Sequence, residues 1–66
     1  MTVIVNGQER AVNRARSIAE LIGELKLLPE TLLIEHNGVA LHRGEWESRP
    51  LQDADKIELL RVVAGG

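Results

Sequence analysis

Two Asn-Gly pairs, Asn6-Gly7 and Asn37-Gly38, constrain this chain more than any other feature of its sequence. Asparagine and glycine both accept the positive φ that a type I′ turn needs at its two central positions. An Asn-Gly pair between extended runs is therefore the strongest short-range signal for a β-hairpin. The first pair follows Thr2-Val-Ile-Val5, β-branched throughout and so stiff and biased to extended geometry. The second follows Leu32-Leu-Ile-Glu-His36. The returning arms are Gln8 to Val12, polar enough for a sheet edge, and the short run Val39 to Leu41. The two-residue period of a strand puts Met1, Val3 and Val5 on one face and Ile4 on the other. The same period selects Leu32 and Ile34 as inward, with Glu35 outward.

Between the hairpins lies one helical segment. Ser17-Ile-Ala-Glu20 has the form of a capping box, the serine oxygen taking an orphan amide while Glu20 reaches back. Ile18, Leu21, Ile22 and Leu25 then recur at helical spacing. Pro29 disfavours helical geometry at Leu28, so the expected helix is 18–28. Gly23 inside it costs about 1 kcal/mol relative to alanine, leaving packing to hold the segment. After the second hairpin, Gly44 to Pro50 is too polar and too broken for a strand. It reads as a turn or one helical turn around Trp46, which plugs the edge of the core. Asp53-Ala-Asp55 is turn chemistry, and Lys56 to Val63 is a long final strand.

The order is hairpin, helix, strand pair, final strand. A single amphipathic helix can cover one face of such a sheet. The last strand is expected beside the first, giving a mixed sheet of four to five strands with one main helix across one face. That is an α+β arrangement of the ubiquitin-like β-grasp type. All 66 residues are expected to form one domain, 1–66, with a flexible Gly-Gly tail at 64–66. A chain of this length buries only about 60% of its unfolded surface, so its core must be well packed.

Composition removes several function classes. The chain has no cysteine, hence no disulfide, no thiolate nucleophile and no cysteine-based zinc site. A formal charge of −2 points to neither nucleic acid nor membrane as partner. Trp46 is the only aromatic residue, which excludes a base-stacking platform. No segment is long enough to span a bilayer and no signal peptide is evident, so a cytoplasmic location is expected. His36 and His42 lack neighbours at metal-ligand spacing, and Asp53 and Asp55 are explained by their turn. No nucleophile, base and oxyanion site assemble, so no catalytic residue and no metal is assigned.

The functional signal lies at the end of the chain. Ile57 and Leu59 alternate with Glu58 as a core-facing strand should, but Leu60, Val62 and Val63 are read as adding apolar side chains on the outer parity. With the first and last strands adjacent, Ile4, Leu60 and Val62 are expected to gather on the solvent face as a docking patch. The chain then closes on Val63-Ala-Gly-Gly66. Gly65 and Gly66 present no side chain and accept almost any backbone angles, so the α-carboxylate of Gly66 can enter a narrow channel. A carboxylate is a poor electrophile until a partner converts it, with ATP, to an acyl-adenylate.

The whole chain resembles the ThiS family, the sulfur carriers of thiamine biosynthesis. The resemblance runs through Thr2-Val-Ile-Val-Asn-Gly7, Glu35-His-Asn-Gly38 and His42-Arg-Gly-Glu-Trp46. It continues through Asp53-Ala-Asp-Lys-Ile57 to Val63-Ala-Gly-Gly66. Ala54 departs from it, standing where glycine is usual, so that turn is expected to be strained or of another type. His36 also departs, standing where an apolar residue is usual, which counts against the Leu32 and Ile34 parity. The resemblance implies a protein co-substrate, not an enzyme, with no cofactor of its own. Gly66 would be adenylated by a ThiF-like enzyme that uses ATP, then converted to a thiocarboxylate, with Gly65 and Ala64 giving access. Sulfur would come through a cysteine desulfurase and pass to a ThiG-like thiazole synthase. Carriers for molybdopterin or tRNA thiolation, and a ubiquitin-like modifier joined to target lysines, share the tail chemistry and stay open on this reading. The scarcity of lysine, Lys26 and Lys56 alone, argues against extensive self-linked chains.

Overall fold

The computed structural model describes residues 1–62. In chain order they form β1 (Thr2–Val5), β2 (Gln8–Ala11), α1 (Ile18–Glu24), β3 (Leu32–His36), β4 (Val39–Leu41) and β5 (Lys56–Arg61). Short 3₁₀ turns lie at Pro29–Thr31 and Arg43–Glu45. The five strands make one sheet in the order β2-β1-β5-β3-β4. β5 runs parallel to β1 and antiparallel to β3, and both hairpins are antiparallel. This is the expected β-grasp, with the last strand in the centre.

Both Asn-Gly pairs are type I′ turns. Asn6 and Asn37 have φ of 49° and 50°, and the glycine after each has φ of 82°. β2 ends at Ala11, one residue short of the expected Val12. Val12 leaves the strand, donates its N–H to Met1 O at 2.8 Å and turns into the core. Met1 lies at the start of the chain and is exposed, so it does not share the buried face of Val3 and Val5.

The helix is shorter than its apolar spacing suggests. It starts where expected, with Ser17 Oγ accepting the Glu20 N–H at 3.1 Å. Glu20 reaches back one residue further than in a capping box, its Oε1 accepting the Arg16 N–H at 2.8 Å. It ends at Glu24, not Leu28, because Lys26 takes a left-handed φ of 59°. The Lys26 N–H donates to Gly23 O at 3.0 Å and the Leu27 N–H to Ile22 O at 3.1 Å. This pair of bonds is a Schellman cap with lysine in the position glycine usually holds. Pro29 opens the following 3₁₀ turn and plays no part in stopping the helix.

Ile18, Leu21 and Ile22 of α1 meet Val3 and Val5 of β1, Leu32 and Ile34 of β3 and Ile57 of β5 in one core. Leu41, Leu51 and Trp46 close its edge. Leu25 is only partly buried against it, so the three helix residues before it carry the main packing. The expected parity of β3 holds: Leu32 and Ile34 point in, Leu33 and Glu35 point out. The Arg43 guanidinium lies 4.7 Å from the centroid of the buried Trp46 ring. β5 closes at Arg61. Val63, which the sequence reading adds to this strand, and the tail at 64–66 lie outside the described residues.

Candidate functional site

The site is organised by β5, which carries the chain out of the fold. The strand is flanked on both sides near its start: β1 pairs with it at Lys56 and Ile57, and β3 from Ile57 to Arg61. Beyond Ile57, β1 has already turned away at Asn6, and the Asn6 side chain takes over the ladder. Asn6 Oδ1 accepts the Leu59 N–H at 2.7 Å, and Asn6 Nδ2 donates to Leu59 O at 3.2 Å. The turn residue thus serves twice, since its positive φ makes the hairpin and its amide replaces a missing strand. On the other side the Val62 N–H donates to Thr31 O at 2.7 Å, which holds the chain extended where it leaves the sheet.

The register separates the expected docking residues. Leu60 and Val62 lie on the outer parity at the exit end of β5, 64% and 45% exposed. Ile4 is level with Lys56, at the opposite end of the strand. Four residues of extended chain put it about 13 Å from Leu60. Ile4 shares the outer face but is half-buried and does not join the cluster. The physical reason is that β1 overlaps only the start of β5. The neighbour Leu60 does have is Leu33, directly opposite on β3 and 57% exposed. The period already placed Leu33 outward, but finding it beside Leu60 required knowing that β3 is the other flank of β5. The apolar patch is therefore Leu33, Leu60 and Val62. Leu33 and Leu60 line a shallow groove with Ala40, Glu35 and Glu58. Gly66, the residue expected to be modified, and Gly65 and Ala64, expected to give it access, lie outside the described residues.

Two carboxylates are held below their usual range, both for structural reasons. Glu24, the last residue of α1, reaches across to the loop that enters the helix. Its Oε2 accepts the Asn13 N–H at 2.8 Å, and its Oε1 accepts the Arg14 and Ala15 N–H groups at 3.0 and 2.9 Å. Those bonds, Asn13 first, favour the charged form and lower the carboxyl from its ordinary value of 4.5. Asp55 is buried beside His36. Burial alone would raise it, but hydrogen bonds from Asn37, His36 and the Gln52 N–H outweigh that and leave it below 3.8.

His36 proves to be the centre of a buried polar chain. Its Nε2 lies 2.7 Å from Asp55 Oδ2, and its Nδ1 accepts from Arg49 Nε at 2.9 Å. The arginine donor fixes Nδ1 as acceptor, so Nε2 carries the proton to Asp55. That satisfaction is what lets a histidine occupy the inward parity of β3. His42 is exposed, with its N–H on Glu45 Oε1 at 2.7 Å. Asp53 Oδ1 accepts the Thr2 N–H at 2.8 Å and ties the turn to β1. Among the described residues no group of histidine and acidic side chains could hold a metal ion. None of their helices is long and apolar enough to cross a membrane.

The mixed five-stranded sheet, its central exit strand and the single helix define a ubiquitin-like β-grasp protein. The model of the ThiS family matches residues 3–66. The chain belongs to that family, the small ubiquitin-like carriers of thiamine biosynthesis, which are not themselves catalytic. It is similar to a crystal structure of the thiamine biosynthesis protein ThiS from Geobacter metallireducens, with 33% identity, full coverage of both chains and a TM-score of 0.83. A solution structure of a thiamine biosynthesis protein from the same organism matches at a TM-score of 0.78, over all of this chain and 88% of the other. An uncharacterised protein, ycf40, of Trieres chinensis is 28% identical over 98% of this chain and 89% of its own length. A thiazole synthase of Paramagnetospirillum magneticum is 26% identical over the whole of this chain, which spans only 20% of that protein.

Proposed function

We propose that this protein carries sulfur for thiazole formation in thiamine biosynthesis as a thiocarboxylate on Gly66. The observation that carries the reading is that the family match continues through the Gly-Gly to residue 66. A carboxylate oxygen of Gly66 attacks the α-phosphorus of ATP in a ThiF-like adenylating enzyme, and pyrophosphate leaves. A persulfide supplied through a cysteine desulfurase then displaces AMP to form an acyl disulfide, and a thiol reductant cleaves its S–S bond, leaving one carboxyl oxygen replaced by sulfur. With no cysteine in the chain, no side chain can hold that sulfur in its place.

A ThiG-like thiazole synthase is the proposed acceptor. Its support is that proteins named thiazole synthase, in Paramagnetospirillum magneticum and Magnetococcus marinus, each contain a segment similar to this entire chain. A carrier segment and a synthase within one polypeptide act at high effective concentration, which favours partners that must meet repeatedly.

The test is intact-protein mass spectrometry with fragment mapping. After incubation with ATP, the adenylating enzyme of the same organism and a sulfur donor, the oxygen-to-sulfur mass difference is expected at Gly66 alone. Sulfur located elsewhere, gain of sulfur without ATP, or an isopeptide-linked product in its place would overturn the reading.

A further inference from the structure

The outer face of β5 and β3 contains a violation of sheet chemistry. Two rungs below the Leu33–Leu60 pair, Glu35 lies directly opposite Glu58. Directly opposed residues of antiparallel strands have Cβ atoms roughly 4.5–5.5 Å apart, where like charges destabilise the sheet. Both side chains are exposed. The one ion pair among the described residues joins His36 and Asp55, so neither glutamate has a cation within 4.0 Å. Ala40, the outward residue of β4 opposite Glu35, is too small to screen them. The groove along this face thus has an apolar end, Leu33 and Leu60, and a doubly acidic end; Lys56, next on the outer parity of β5, is exposed and makes no ion pair with either glutamate.

We propose that Glu35 and Glu58 form a paired-carboxylate recognition element for a protein partner that presents an apolar side chain to Leu33 and Leu60 and a lysine or arginine to the two glutamates. The inference rests on the carrier reading, because it takes the adenylating enzyme as that partner. A cation between the carboxylates relieves their repulsion only in the complex, so the pair favours docking at the expense of the free protein. Local rules broken without compensation inside a fold are characteristic of functional surfaces. The position fits as well, since the acidic rung adjoins the apolar pair at the exit end of β5 and rim charges of this kind steer association.

The prediction has two signs, which distinguishes it from a structural role. Glu35→Gln and Glu58→Gln are expected to raise the urea midpoint of the free protein or leave it unchanged. The same variants are expected to weaken binding to the ThiF-like enzyme of the same organism in titration calorimetry. The double variant should lose roughly tenfold in affinity at low salt, with the gap narrowing as salt is raised. Glutamine variants that bind like wild type, or that lose stability and binding together, would overturn the proposal. Mass spectrometry of the wild type separates the two levels. Wild type that acquires sulfur while the variants dock normally overturns the paired-carboxylate element alone, whereas wild type that is never adenylated overturns the carrier reading and this proposal with it.

Discussion

Ala54 shows how one methyl group can be read from the sequence and then measured. Its φ is 69°, in the left-handed region that an L residue with a Cβ reaches only at a cost of about 1–2 kcal/mol. The turn tolerates it because its backbone is tied on both sides. The Ala54 N–H donates to Thr2 O at 2.7 Å, and the Asp55 N–H to Gln52 O at 3.2 Å. Ala54→Gly removes the strain but gives the unfolded chain more freedom, worth roughly 0.4–1 kcal/mol in the other direction. The expected net effect is a gain of about 0.5–1 kcal/mol. At ~4–8 °C per kcal/mol for a domain of this size, that is a rise of a few degrees in the thermal midpoint. Calorimetry checks it, and a lowered midpoint would show that the turn is not strained. His36 teaches the complementary lesson. Its isolation in sequence hid its partners, because Asp55 and Arg49 reach it only through the fold, 19 and 13 residues away.

At the level of elements, what the sequence disclosed depended on whether the signal was local. Both hairpins were legible because an Asn-Gly turn is encoded in adjacent residues, and so was the start of α1 at Ser17. The end of α1 was not, because a lysine at φ 59° carries no sequence mark of a Schellman cap. The clamp from Glu24 to the loop before the helix was equally invisible, since a glutamate on a helix gives no sign of accepting three backbone N–H groups. That clamp predicts a pH dependence. A carboxyl lowered on folding contributes stability fully above its ordinary value of 4.5, and loses it as pH falls through the lower folded value. Glu24→Gln is therefore expected to unfold at lower urea than wild type at neutral pH, with the difference shrinking as acid protonates the wild-type carboxylate. Asp55 adds a loss of the same sign below 3.8 in wild type and variant alike, so the comparison isolates Glu24. A difference independent of pH would assign the effect to packing and not to the clamp.

Across the whole molecule, the proposed function gives folding and chemistry to different parts of the chain. Every residue of the described core lies between Val3 and Leu59, and the exposed apolar patch of Leu33, Leu60 and Val62 lies among the described residues as well. Gly65 and Gly66 have no side chain to add to either. Three measurements on tail variants should consequently respond independently. Deleting Gly66 is expected to leave the urea midpoint and the affinity for the adenylating enzyme close to wild type, while abolishing gain of sulfur. Gly65→Val should fold and dock as well as wild type yet gain sulfur slowly. A β-branched side chain narrows the backbone choices and widens the chain at the point where, on the proposed function, the carboxylate would thread to ATP. Leu60→Asp inverts the pattern: the fold persists because Leu60 is exposed, but docking weakens as an unpaired charge is forced into an apolar contact. Denaturation, titration calorimetry and the time course of sulfur gain on the three variants decide it. Loss of folding in either tail variant, or normal sulfur gain after removal of Gly66, would show that the chain does not divide its labour in this way.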